Sequence, residues 1–195
     1  MSLALALREW SGVVEALGNG DQTVMVRGYP ARYPAFFLYP TFSYYTSTKA
    51  KPESFNEKFQ PKYLKLARES AEDTRKLADS LLVHFKYYAE VDEVIPIEES
   101  KTWDRLEPYF IWSTEHVKGY ATTSTFLWIL RVHRLPETIV IGRNAGGGPP
   151  TFYKHSEEIS TDGSRPVLVD SEYAKLKSGI LAAVAKSTPS RSRSF

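Results

Sequence analysis

The chain contains no cysteine. That excludes a disulfide-stapled scaffold, thiolate zinc and iron–sulfur sites and cysteine nucleophiles, and it suits a reducing interior. Charge of one sign is also scarce. A net charge of +2 is too small to argue for nucleic acid through average charge, because affinity for phosphates needs cations gathered in one place. Long apolar runs are missing: the longest, Phe126 to Leu130, is strand-sized and far short of a bilayer span. Met1 to Leu7 carry no positive segment ahead of their apolar run, and Arg8 and Glu9 follow at once. The expectation is therefore a cytoplasmic chain without a signal peptide and without a membrane partner.

Catalytic signatures are equally thin. There is no Gly-x-Ser-x-Gly elbow, no Gly-x-Gly-x-x-Gly fingerprint and no Gly-Lys-Ser/Thr after a glycine run. The glycines of Gly142 to Pro150 are followed by two prolines, which lack the amide a phosphate cradle uses, so a turn is expected there. His84, His116, His133 and His155 are scattered singly, with no spacing that puts two ligands on one helical face. No metal and no cofactor are expected.

What is present is globular: 195 residues, 42% hydrophobic and 25% charged, enough for a core that forms unaided. One domain is expected over residues 1–185, followed by a basic, serine-rich tail over 186–195. Leu3, Leu7, Trp10, Val14 and Leu17 fall at helical spacing, and Gly18 to Gly20 supply a stop, so the spacing predicts a first helix over Leu3 to Leu17. Thr23 to Arg27 and Ala35 to Tyr39 read as two hairpin-like strands, and residues 42 to 60 as a long loop rich in aromatics. Pro61 opens a second helix that continues through Leu64, Ala67, Ala71, Ala78 and Leu81.

From Val83 the period changes to two, with Phe85, Tyr87, Ala89 and Val91 on one face of a strand that Pro96 ends. A helical turn is expected around Trp103 to Leu106, and a short helix capped by Ser113 or Thr114. Thr125 to Arg134 reads as a central strand, Thr138 to Ile141 as another, and Asp170 or Ser171 as the cap of a last helix. The fold expected is α+β: a mixed or antiparallel sheet of about five to seven short strands, able to curl into a partial barrel, with N-terminal, inserted and C-terminal helices.

In this order the blocks Ala6-Leu7-Arg8-Glu9-Trp10, Glu15-Ala16-Leu17-Gly18 with Gly20 and Gln22, and Phe37-Leu38-Tyr39-Pro40-Thr41 resemble a bacterial and archaeal family. The later blocks are Tyr88-Ala89-Glu90-Val91, Ile111-Trp112, Leu130-Arg131-Val132 with Arg134-Leu135-Pro136, and Ala145-Gly146. The family is the uncharacterised domain of unknown function 1802, and the resemblance spans roughly Ala6 to Glu158. Two features depart from it. Arg27-Gly28-Tyr29-Pro30-Ala31 stands where typical members carry Lys-Gly-Gly-Ile, and Ser43-Tyr44-Tyr45 stands where they place a histidine. The resemblance implies a fold rather than a reaction.

The constellation that stands out is basic and aromatic. Arg131, His133 and Arg134 end one strand, Tyr153, Lys154 and His155 follow the glycine turn, and Trp112 with His116 precedes the same strand. Gathered on one face, these rings and cations would suit stacked bases and phosphates, helped by Lys186, Arg191 and Arg193 of the tail. The first functional expectation is thus a non-enzymatic nucleic-acid-binding module for RNA or single strands. Two alternatives stand beside it: a divergent metal-dependent hydrolase or nuclease using Glu9, Glu15, Glu90 and a histidine, and a protein-interaction domain using the aromatic segment from Phe42 to Phe59.

Overall fold

The computed structural model describes residues 1–41, 52–121, 124–142 and 152–185. The chain runs β1 (Ser2–Trp10), α1 (Ser11–Gly18), β2 (Val24–Arg27), β3 (Ala35–Thr41), α2 (Gln60–Asp79), β4 (Leu82–Ile97), α3 (Lys101–Leu106), α4 (Thr114–Tyr120), β5 (Thr125–Gly142), β6 (Phe152–Ser160), β7 (Arg165–Pro166) and α5 (Asp170–Ala185). The strands form one seven-stranded sheet in the order β2-β5-β4-β3-β1-β6, with β7 paired to β5. β1 and β3 are parallel and the other pairs antiparallel, which makes the fold mixed α+β.

The N terminus departs most from the sequence reading. Leu3 to Leu17 is not one helix: the chain is a strand through Trp10 and helical only from Ser11. Leucines alternate with Ala in this stretch, so they satisfy a period of two as well as 3.6. The strand wins because both faces are buried and both edges are paired. Leu7 enters one apolar cluster and Ala6 the other, while β3 and β6 take the backbone hydrogen bonds. Helix propensity differs between residues by only about 0.7 kcal/mol, less than the ~0.8 kcal/mol of each buried methylene.

β2 and β3 do not form a hairpin. β2 lies against β5, and β3 lies between β1 and β4. The link between them carries Pro30 and Pro34, which offer no amide to a ladder, and the chain re-enters the sheet three places away. Thr125–Gly142 is one continuous strand rather than two. Its register against β4 shifts where Leu135 to Thr138 pass Lys86, and this irregularity absorbs Pro136. The same shift switches faces in β4. Val83 and Phe85 share a cluster with Tyr88, whereas Tyr87 and Ala89 point into the other. β6 and β7 had no counterpart in the sequence reading.

The larger core packs the sheet against the helices, including Val13, Val14 and Leu17 of α1, Tyr63 of α2, Trp103 and Leu106 of α3, and Ile180 of α5. Among the described residues the smaller core is made by strands alone: Ala6, Phe37, Tyr39, Val83, Phe85, Tyr88, Leu135 and Ile141, with Tyr153 and Ile159 packed on it. Phe37 and Phe85 stack at 5.1 Å in its middle. A strand-only core needs a sheet that curls over itself, and the connection from β6 to β7 requires this. Five strand spacings separate β6 from β7 across a flat sheet, about 24 Å, whereas five extended residue steps reach at most ~18 Å. The sheet therefore bends toward a partial barrel while β2 and β6 remain its two ends.

Candidate nucleic-acid interface

β5 places Arg131, His133 and Arg134, and each is engaged differently. Arg131 is buried to 13% side-chain exposure, 2.5 Å from the Asp170 carboxylate and 4.5 Å from the centroid of the Tyr173 ring. Its charge is thereby balanced by the first residue of α5. The His133 ring stacks on Tyr88 at 4.6 Å, with Nε2 3.5 Å from Glu90. Burial holds its pKa below the ordinary histidine value, with the Glu90 charge acting in the opposite direction. Arg134 lies 4.9 Å over the Tyr87 ring and donates to the Gly18 carbonyl at 3.1 Å, where a cation favours the end of α1.

Tyr153, Lys154 and His155 lie on β6, four places from β5 along the sheet. Trp112 and His116 are elsewhere again. The Trp112 ring is buried between Phe55, 5.3 Å away, and His116, 4.5 Å away, and it meets Trp10 at 5.1 Å. Trp112 fills the core, and burial lowers the His116 pKa. Trp112 with His116 thus lies apart from Tyr153, Trp112 belonging to the larger core and Tyr153 packing on the smaller one. Lys186, Arg191 and Arg193 lie outside the described residues, as does the glycine turn from Arg143 to Pro150.

β6 does gain a partner that sequence reasoning missed. Arg8 of β1 sets its guanidinium 5.3 Å from the Tyr39 centroid and 5.9 Å from that of Tyr153, while Tyr153 meets Tyr39 at 5.9 Å and His155 at 6.4 Å. Arg8 is half-buried and forms no ion pair with any described carboxylate. Arg8 and Tyr39 are register partners in the parallel β1–β3 pair. A period-two reading of Ser2 to Trp10 would have put Arg8 on the Ala6 side of the strand, whereas the helical reading left it on a solvated flank. Lys154 is exposed on the same edge strand, and the Glu157 amide donates to His155 Nδ1 at 3.1 Å.

The acidic residues do not converge. Glu9 is paired with Arg27 and accepts from the Trp10 amide at 2.7 Å, Glu15 is 3.2 Å from Lys86, and Glu90 faces His133. Among the described residues no group of three or more His, Asp or Glu side chains is arranged to hold a metal ion. Of the aromatic segment from Phe42 to Phe59, residues 42–51 lie outside the described residues, and Phe55 and Phe59 are buried. No helix among the described residues is long and apolar enough to cross a membrane.

The two half-buried histidines, His116 and His133, set a pH dependence. In the unfolded chain each titrates near ~6.5, and in the folded protein each accepts its proton only at a lower pH. Between those limits the unfolded state binds more protons, so the stability these two histidines contribute falls as pH drops below about 6.5 and stops changing once both are protonated in the fold. Denaturant unfolding at a series of pH values from neutral downward checks this, and His116→Phe and His133→Phe should each flatten the curve. A stability that stays level through that range contradicts it.

No curated protein matches the chain. A family model does, over residues 6–179, which takes in β1 through most of α5. The chain belongs to the family described as domain of unknown function (DUF1802).

Proposed function

We propose that the protein is a non-enzymatic nucleic-acid-binding module that takes single strands, RNA in particular, along β6 and the adjoining part of β1. The observation that carries this reading is the Arg8 guanidinium, held against the Tyr39 and Tyr153 rings with no described carboxylate to neutralise it. A cation so held is oriented without being cancelled, and rings beside it suit bases while it takes a phosphate. Lys154 extends the cationic line along the edge strand, with the His155 ring 6.4 Å from that of Tyr153. Arg131 contributes less to this reading, because Asp170 already occupies it.

The test is fluorescence anisotropy with a labelled homopolymer RNA at two salt concentrations. The expected result is saturable binding that weakens with salt, with the slope of log affinity against log salt falling by about 1.4 in Arg8→Ala, Lys154→Ala, since each single-strand phosphate contact contributes ~0.7. No binding at low salt, or an unchanged slope in the double variant, refutes it. Asp170→Asn, which unpairs Arg131, should leave that slope within experimental error of the parent.

A further inference from the structure

The first two residues of β6 carry rings to opposite faces of the sheet. Phe152 is the register partner of Leu7 and Tyr153 that of Ala6, in the regular part of the β1–β6 pair. Successive residues of a strand alternate between faces, so Phe152 packs on the larger core and Tyr153 on the smaller one. Lys154, opposite Leu5, returns by the same alternation to the Phe152 side and is exposed. Arg8, Tyr39 and Tyr153 occupy one side of this edge, and the other side carries a ring and a cation of its own.

Both come from the link between β2 and β3. Tyr33 is 38% exposed, yet its ring meets the Phe152 ring edge-on at 4.9 Å, and Phe152 in turn meets the fully buried Phe36 at 5.4 Å. The core thus supports a ring that still presents area to solvent. Arg32 is exposed beside it and forms no ion pair with any described carboxylate. Pro30 and Pro34 bracket the pair and restrict its backbone, and the Val91 amide pins the far end by donating to the Pro34 carbonyl at 2.7 Å. A backbone held in this way loses little freedom on binding.

We infer that Tyr33 is a second base position, so that a single strand straddles the edge of β6 with one base on Tyr153 and another on Tyr33. This inference rests on the reading of β6 as a nucleic-acid edge. Arg8 takes a phosphate on the Tyr153 side, and Arg32 with Lys154 takes one on the Tyr33 side. Only an edge strand can be straddled, since an interior strand has a neighbour along each side, and among the described residues no strand pairs with the outer side of β6. The geometry also selects the ligand class. A single strand can turn successive bases to different sides, whereas a duplex keeps its bases stacked inside.

Anisotropy of a labelled RNA of about eight nucleotides, within the ~4 to 16 that single-strand modules cover, tests this on the full chain. The expected result is one RNA per chain, with Tyr33→Leu weakening binding about tenfold and Tyr33→Phe retaining it, because leucine keeps the apolar contact with Phe152 but offers no ring face. Arg32→Ala should lower the salt slope by ~0.7, one phosphate contact. Both residues are exposed, so these variants should keep the parent's urea midpoint and read binding alone. Two RNAs bound per chain would mean two independent sites and overturn the proposal. Parent-like binding in Tyr33→Leu overturns it as well; if Arg8→Ala, Lys154→Ala still loses its salt slope, β6 remains the interface without a second base position. A parent that binds no RNA removes both readings.

Discussion

Trp112→Ala should lower the unfolding free energy by about 3 to 5 kcal/mol, the cost of removing a large buried aromatic. Trp112 is 9% exposed, and its indole is in contact with Phe55, Trp10 and His116. A backbone bridge between Phe55 and Trp112 fixes the two rings relative to one another, so the surroundings have little freedom to collapse into the space left behind. Urea unfolding reads the change as a lower midpoint at unchanged slope. A loss below about 1 kcal/mol would mean that the ring is dispensable to the core and available for a ligand. Measured on the fraction that remains folded, binding to RNA should be unaffected, because the Arg8 and Tyr153 group lies on the other face of the sheet's parallel pair.

Gly12→Ala should be strongly destabilising although it improves helix propensity. In the first turn of α1, alanine in place of glycine favours the helix by up to about 1 kcal/mol. Steric conflict outweighs that gain. A Cβ at Gly12 would sit on the Trp10 indole, 2.6 Å from Cζ2 and Cζ3, and Trp10 is 3% exposed with Phe55 and Trp112 behind it. The indole cannot retreat without moving two further rings, so overpacking of up to about 3 kcal/mol is expected to leave a net loss near 2 kcal/mol. The comparison also yields a coupling. In Gly12→Ala, Trp112→Ala the cavity left by Trp112 gives Trp10 room to shift, and the double variant should lose less than the sum of the singles. Additivity within about 0.5 kcal/mol would show that Trp10 does not transmit the strain.

The same ring cluster shows what could be read in advance and what could not. The helix from Gln60 was legible because Pro61 fits only a first turn and Leu64 continues at helical spacing. The short helix after Ser113 was legible because a serine hydroxyl there can accept from an amide in the first turn, and it accepts from His116 at 3.3 Å. Trp112 could be named from the sequence but not placed, since an indole reads alike in a core and on a stacking platform. Arg8 was hidden behind a misassigned element: once Leu3 to Leu17 is taken as a helix, the arginine points to solvent and loses Tyr39 and Tyr153.

Local chemistry thus determined the helices that carry their own caps and prolines, the period-two strands, the α+β class and the family resemblance, because those signals act between residues a few positions apart. Tertiary structure alone decided that the N-terminal leucines form a strand, that β2 and β3 separate, and that Arg131 meets Asp170 while Arg8 meets no described acid. These outcomes depend on which backbone edges and apolar faces are left to pair after the whole sheet has assembled. That is a competition between distant segments, and the difference between two nearly equal local periods is too small to settle it.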